Sequence, residues 1–201
     1  TSTQVGVLSS GQLSALSSDD ILSFSTDEIA AISTKSLSGL STNAVNALGS
    51  DQVVALKSSQ IAALGTIQLN ALTTDNITKL LSDQILALST SQLASLSTDD
   101  IAAISTDNVG ILKSSQVAAL TTAQIDAMSS DQVEALTTGQ VAVLTAAQIG
   151  AMSSDDIVTF STDEVAAIST KAIAQLSTDS LAALHTNQFA ALNSGQVALL
   201  T

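Results

Sequence analysis

The sequence lacks several residue types on which other classes of protein depend. It has no cysteine, proline, tryptophan or tyrosine, and only three phenylalanines among its 201 residues. Without cysteine, neither disulfides nor thiolate metal sites can hold the fold together. Because no proline and no glycine-rich stretch interrupts the chain, no linker marks a domain boundary. We therefore expect residues 1–201 to form one continuous array without an internal boundary.

Positive charge is also scarce. Five lysines and no arginine stand against 18 acidic residues, which gives a net charge of −13. Nucleic-acid binding needs cations that neutralise phosphates, and anionic membrane surfaces attract basic segments. No apolar run approaches the roughly 18 residues of a transmembrane helix. The composition therefore predicts neither nucleic-acid binding nor insertion into a membrane.

The sequence does contain an eight-residue repeat. Cut into blocks of eight from Thr1, residues 1–200 form 25 octads without an insertion or deletion, with the consensus S-T-D-Q-I-A-A-L. We number the octad positions 1 to 8. Positions 5 and 8 are apolar in every octad, position 4 is mostly Gln, and positions 1 and 2 are mostly Ser or Thr. Even the stretch Ser17–Lys35 returns at Ser153–Lys171 with three changes. This uninterrupted eight-residue periodicity predicts a repeat architecture.

Each octad has the signals of a helix start. Ser or Thr at position 1 and Gln or Glu at position 4 form a capping box, and the apolar residues at position 8 of the previous octad and at position 5 form a hydrophobic staple. Asp at position 3 falls in the first turn, where the helix dipole favours negative charge. Positions 5 and 8 then lie on one face of the helix.

One long helix does not fit this repeat, because eight residues bring the apolar pair back about 80° out of phase. We therefore predict an all-α solenoid, a superhelix of short helices of about two turns, one in each octad. The alternative is a β-solenoid with Ser/Thr ladders. That fold needs period-two alternation, whereas the two apolar positions are three residues apart.

The spacing of like residues predicts a superhelical pitch. Asp recurs at position 3 every 24 residues, at Asp27, Asp51, Asp75 and Asp99, and the duplicated stretch is displaced by 17 octads. Shared residues thus recur at steps that lie near multiples of about 3.4 octads, which is our hypothesis for one superhelical turn. The alternative is gene duplication, which copies segments at any multiple of eight residues.

Few residues are candidates for a catalytic or metal-binding site. The single histidine, His185, replaces the usual Ser at position 1, and no serine is distinguished from its many equivalents as a nucleophile would be. We expect no catalytic site, no cofactor and no enzymatic activity. Acidic pairs are the candidates for calcium, which prefers several oxygen ligands, although they lack the glycine-turned loop of known calcium repeats. The pairs are Asp19–Asp20, Asp27–Glu28, Asp99–Asp100, Asp155–Asp156 and Asp163–Glu164. The simpler expectation is that they are first-turn carboxylates on a solvated acidic face, with no metal bound.

The consensus, written L-[ST]-[ST]-x-Q-[IV]-x-A-L, resembles the octapeptide-repeat arrays of large bacterial cell-surface and secreted adhesin-like proteins. The resemblance covers the whole chain and implies a structural protein at the cell surface or outside the cell. The first and last octads are ordinary copies and not polar caps. We therefore expect a filament subunit, or a stalk or spacer segment, whose partner is itself through end-to-end or lateral assembly.

A binding module that engages a protein, a glycan or calcium is the alternative function. It predicts a clustered departure from the consensus on one face. Residues 65–88 are the nearest candidate: Gly65 and Leu81 break position 1, Ile67 takes a polar position, and Lys79 replaces the usual Ala.

Overall fold

The structure is a computed structural model that describes residues 1–200. Over this range the chain is helical and contains no strand. The prediction of an all-α fold is therefore confirmed, and the β-solenoid alternative is wrong. None of the described helices is both long and apolar enough to cross a membrane.

The chain forms two compact units, Thr1–Ala103 and Ile104–Thr201. The division falls between positions 7 and 8 of one octad, where the sequence repeat itself continues without a break. That the whole chain is one array stays a prediction.

Every octad forms one helix. The first unit contains α1 (Ser2–Gly6), α2 (Ser10–Leu13), α3 (Ser18–Leu22), α4 (Thr26–Ala31), the 3₁₀ helix η1 (Leu37–Gly39), α5 (Thr42–Asn46), α6 (Ser50–Ala55), α7 (Ser58–Ala63), α8 (Thr66–Leu69), α9 (Thr74–Thr78), α10 (Ser82–Ala87), α11 (Thr90–Ser95) and α12 (Thr98–Ala103). The second unit contains α13 (Thr106–Ile111), α14 (Ser114–Ala118), α15 (Thr122–Asp126), α16 (Ser130–Glu134), α17 (Thr138–Val141), α18 (Ala146–Ala151), α19 (Ser154–Ile157), α20 (Thr162–Ala167), α21 (Thr170–Ile173), α22 (Thr178–Ala183), α23 (Thr186–Ala191) and α24 (Ser194–Val197).

The helices are shorter than the two turns we expected. Most have only five or six residues, about one and a half turns at about 3.6 residues per turn. The corner takes the remaining residues: Leu56 at position 8 has φ −61° and ψ 131°, and Lys57 at position 1 has φ −69° and ψ 151°. Since no residue of the described chain has a positive φ, these corners are extended and need no glycine.

Many helices begin with both hydrogen bonds of the predicted capping box. In α11, Ser89 Oγ accepts the backbone N–H of Gln92 at 3.2 Å, and Gln92 Oε1 accepts the backbone N–H of Ser89 at 2.8 Å. Where position 1 has no hydroxyl, the second bond persists alone: Gln84 Oε1 accepts the N–H of Leu81 at 2.7 Å. Position 4 therefore fixes the start of a helix even when position 1 cannot.

Helices pack on the helices three octads further along the chain. In the first unit α7 packs on α10 and α9 on α12, and in the second α15 packs on α18 and α19 on α22. Position 5 points into each unit, where Ile61, Ile85 and Ile149 are fully buried. Position 8 lines the same core beside it, as at Leu64 and Leu88.

Two glycines provide the first test of this packing. A Cβ at Gly39, in η1, would overlap the backbone carbonyl of Ser10 in the octad three before it. Gly39→Ala is therefore expected to lower the free energy of unfolding by about 1–3 kcal/mol, because backbone must move to admit the methyl group. A Cβ at Gly139, in α17, would meet no neighbouring atom within 4 Å. Gly139→Ala should raise that free energy by about 0.4–1 kcal/mol by restricting the unfolded chain. Urea unfolding measures both, and equal effects of the two substitutions would contradict the packing described.

Candidate functional site

Position 4 carries the most distinctive chemistry of the fold. Gln84 is fully buried, and its Oε1 caps its own helix, α10. Its Nε2 donates to the backbone carbonyls of Val53 and Leu56, at 2.9 and 2.6 Å. Those carbonyls are positions 5 and 8 of the octad four before it. One side chain thus joins the start of a helix to the end of a helix in the preceding coil.

The same arrangement recurs in both units, where ten glutamines at position 4 donate from Nε2 to backbone carbonyls 28 to 31 residues earlier in the chain. We call these ten glutamines the glutamine ladder. The members are Gln52, Gln60, Gln68, Gln84 and Gln92 in the first unit and Gln132, Gln140, Gln148, Gln188 and Gln196 in the second. All ten side chains are buried. Since buried polar groups are costly unless bonded, the ladder fixes the stacking register.

The ladder also gives the size of one coil. Helices pack on those three octads away, whereas ladder bonds reach octads four away. One turn therefore holds more than three and fewer than four octads in each unit. Our hypothesis of about 3.4 octads per turn lies in this interval, and turns of two or four octads are excluded.

Hydroxyls at position 2 add a second set of bonds between coils. Ser18 Oγ donates to the carbonyl of Asn43, and Ser114 Oγ donates to that of Gly139, both at 3.2 Å. Ser58 Oγ donates to Asp83 Oδ2 at 2.9 Å. Each acceptor is three octads further along. Where these bonds form, Ser or Thr at position 2 joins one coil to the next.

Where position 4 is Asp, the bonding changes direction. Asp100 and Asp156 are buried, and a carboxylate cannot donate to the carbonyls that a ladder glutamine would reach. Instead, Asp100 Oδ1 accepts from Thr74 Oγ1 at 2.8 Å, and Asp156 Oδ1 accepts from Ser130 Oγ at 2.9 Å. These donors are position-2 hydroxyls three octads earlier. The two coils remain joined, by one bond to a hydroxyl.

The acidic pairs proposed for calcium have two distinct placements. Their position-4 members cap helices, because each accepts the backbone N–H of the residue three before it at 2.7 to 3.3 Å. These members are Asp20, Glu28, Asp100, Asp156 and Glu164. Their position-3 members are exposed: Asp19, Asp27, Asp99, Asp155 and Asp163. Within residues 1–200 no three acidic or histidine side chains come together in a metal-binding group. Calcium binding stays a hypothesis.

Helix capping also lowers the pKa of the Asp20 carboxyl group. Ser17 donates to the carboxylate of Asp20 from its hydroxyl, at 2.7 Å, and from its backbone N–H, at 2.9 Å. These bonds lower the pKa of Asp20 below 3.8, with the hydroxyl the larger cause. A lowered pKa in the folded state means that the stabilisation is complete above the unfolded-state pKa. It is lost as the pH falls from there through the lower, folded-state pKa.

Ser17→Ala is therefore expected to raise the pKa of Asp20 towards 3.8, because the larger of the two bonds is removed. A carboxyl-carbon NMR titration measures it. Ser25→Ala, the same change in the next octad, is the control and should leave Asp20 unaffected. An unchanged Asp20 pKa in Ser17→Ala would contradict the capping assignment.

Irregular residues between 65 and 88 all lie at the surface. Ile67 is 75% exposed and Leu81 46% exposed, and Lys79 is exposed as well. The ladder continues beneath them through Gln68 and Gln84. His185 lies at the exposed N-cap of α23, where its side chain makes no cap bond. The departures from consensus therefore change the surface without changing the stacking.

The Nε2 half of the ladder was missed by sequence reasoning, although a signal exists. Glu serves a capping box as well as Gln does. A repeat that prefers Gln at position 4 therefore needs the two donors of the amide. The preference itself indicates acceptors elsewhere in the fold.

Comparison with known families gives this repeat an identity. The family described as ALTTAQ repeat matches residues 21–58, 50–82, 77–114, 110–138 and 165–201, well over half of the chain. The chain belongs to the ALTTAQ repeat family. The hexapeptide occurs unchanged at Ala119–Gln124. In this register, the ALTTAQ repeat spans octad positions 7, 8 and 1 to 4: the helix end, the corner, the cap and the ladder residue. No curated protein is significantly similar to the chain.

Proposed function

We propose that the protein is a structural element: an extracellular filament subunit, or a stalk or spacer segment of a bacterial surface protein, that associates end to end with copies of itself. The observation that carries the proposal is the glutamine ladder. Its buried bonds join coil to coil in the same way in octad after octad. Load placed on one coil is thereby shared with its neighbours, which suits a mechanical role.

The uniformity of the repeat supports a structural role over catalysis. The recurring chemistry is spread over every coil, and no described octad gathers a nucleophile, a base and an orienting group. Side-chain polar atoms that are buried within residues 1–200 all have hydrogen-bond partners. The protein is therefore proposed to act through its surface and its ends, and not as an enzyme.

An exterior location agrees with the surface chemistry. Serine, threonine and aspartate dominate the exposed positions 1 to 3, and the net charge is −13. A strong net charge of one sign keeps a protein soluble at high local density. The resemblance to adhesin-like arrays supports the same location.

Negative-stain electron microscopy of the purified chain tests this function, at several concentrations and with and without calcium. Fibres of uniform width that lengthen with concentration are expected for a filament subunit. Particles whose size does not change with concentration would identify a spacer segment instead. Particles without regular structure at any concentration would refute both structural roles, and a response to calcium alone would favour the acidic pairs as ligands.

A binding module is the second candidate function, favoured by the apolar side chain of Ile67, which is 75% exposed at a position usually polar. Replacing residues 65–88 with three consensus octads tests it. Unchanged binding of protein or glycan partners, with unchanged assembly, would end this alternative.

A further inference from the structure

The glutamine ladder is interrupted over four consecutive octads inside the second unit. Before the interruption, Gln148 Nε2 donates to the carbonyl of Leu120 at 2.9 Å. After it, Gln188 Nε2 donates to the carbonyl of Phe160. We call the octads between them, residues 153–184, the ladder gap. Their position-4 residues are Asp156, Glu164, Ala172 and Ser180. Because one turn holds fewer than four octads, the ladder gap covers a complete turn of the coil.

The carbonyls that glutamines in the ladder gap would reach have no donor from the protein. They belong to position 8 of the octads four earlier, where the residues are 2 to 5% exposed. These residues are Met128, Leu136, Leu144 and Met152. In the part of the chain that the structure describes, neither a backbone N–H nor a side chain donates to their carbonyl oxygens. Since buried carbonyls without a donor are costly, this joint between coils is weaker than one that the ladder crosses.

The residues of the ladder gap do not replace the missing bonds. Ala172 has no polar side-chain atom, and Ser180 Oγ bonds to Ser177 Oγ at 2.8 Å. Asp156 and Glu164 keep only the capping half of the ladder, because a carboxylate accepts hydrogen bonds but does not donate them. The helix starts are therefore preserved while the bonds between coils are lost.

A shorter interruption in the first unit is bridged. Asn76 stands between Gln68 and Gln84 in the order of the ladder, and its Nδ2 donates to the carbonyl of Leu48 at 2.7 Å. In the ladder gap, the bond from Ser130 to Asp156 joins the coils at the first octad. The following octads meet the preceding coil by packing, as α20 does on α17 and α21 on α18.

We propose that the second unit opens first at the ladder gap, where residues 121–152 separate from residues 153–184 while the joints on either side stay closed. An isolated helix of fewer than about 12 residues is marginal in water, so the short helices uncovered at this joint lose their order. The ladder gap is thus a fixed point of local opening in a repeat that is otherwise joined coil to coil. A stack under load extends there first. This opening is a property of the unit and does not depend on self-association.

Buried thiols measure the opening in this cysteine-free chain. Val141→Cys places a thiol at position 5 of α17, which packs on α20 in the ladder gap. Val53→Cys places the same thiol at position 5 of α6, whose octad is joined to the octads four before and four after it by Gln52 and Gln84. Both valines are fully buried. Under native conditions, a thiol reagent is expected to label residue 141 at least about tenfold faster than residue 53, as expected for buried partners left unsatisfied.

Glu164→Gln repairs part of the ladder gap. The substitution keeps the size of the side chain and the acceptor that caps Ser161, and it adds an amide donor for the carbonyls of Val133 and Leu136, 31 and 28 residues earlier. It should slow the labelling of Val141→Cys at least about threefold and leave that of Val53→Cys unchanged.

Two further variants separate the new bond from the change of charge. Ser180→Gln adds the same donor, for the carbonyls of Ile149 and Met152, without removing a charge, and should also slow labelling at residue 141. Glu134→Gln removes the same charge at an exposed position 6 of the second unit and should leave both labelling rates unchanged.

Equal labelling rates at residues 141 and 53 would overturn the proposal. Slowing of both thiols by Glu164→Gln would overturn it as well, because the labelled state would then be the unfolded chain. The dependence of labelling on urea gives the last criterion. Opening at one joint exposes only part of the buried surface, so the rate at residue 141 should rise less steeply with urea than global unfolding does. An equal slope would contradict local opening.

Discussion

Gln84→Glu is expected to lower the free energy of unfolding by about 3–5 kcal/mol, because the substitution leaves a buried charge without a partner. The new carboxylate keeps the acceptor that caps Leu81 but cannot donate to the carbonyls of Val53 and Leu56, at 2.9 and 2.6 Å. It places negative charge against two carbonyl oxygens in a site that excludes water. Urea unfolding followed by circular dichroism measures the loss.

Gln12→Glu is the matched control for this prediction. Gln12 has the same octad position and the same capping bond, to Ser9, but its side chain is exposed and its Nε2 has no partner among the described residues. The same chemical change should therefore shift the free energy of unfolding of the monomer by no more than about 0.5 kcal/mol. Similar losses in the two variants would mean that capping, and not the bond between coils, is what position 4 contributes.

Ile61→Ala is expected to lower the free energy of unfolding by about 2–5 kcal/mol, the usual cost of a large-to-small change at a fully buried position. The cavity left by Ile61→Ala has little room to collapse, because α7 packs against η1 on one side and α10 on the other. Ile67→Ala removes the same atoms from a side chain that is 75% exposed and should change stability by no more than about 0.5 kcal/mol.

Hydrogen exchange can show where the loss from Ile61→Ala falls. In a stack whose coils contact only their neighbours, protection should decrease most in η1, α7 and α10. A uniform decrease over the whole chain would contradict the picture of local contacts between successive coils.

The start of each helix could be predicted because its signals are local. Ser89 and Gln92 are three residues apart, and both halves of their capping box follow from residue type alone. The packing period could be predicted from the recurrence of Asp at position 3, since like residues on adjacent coils mark neighbours in space. Both predictions depend on short patterns repeated many times.

The rest depends on contacts that no octad contains. The length of a helix depends on where the corner begins, and position 8 leaves the helical conformation although Leu56 is a good helix former. The bonds that Gln84 Nε2 donates depend on the carbonyls of Leu56 and Val53, which lie 28 and 31 residues earlier in the chain. The burial of Asp100 depends in the same way on Thr74, 26 residues before it.

The central claim is that, within each unit, octads stack on the octads three further along, and cysteine crosslinking in this cysteine-free chain tests it most directly. Ser58→Cys is paired in turn with Asp75→Cys, Asp83→Cys and Ser91→Cys, all at position 3, two, three and four octads away. Ser58 Oγ lies 2.9 Å from Asp83 Oδ2. A short thiol crosslinker should therefore join the 58–83 pair fastest. Faster reaction of the 58–75 or the 58–91 pair would mean a coil of two or of four octads, and would contradict both the stacking and the ladder.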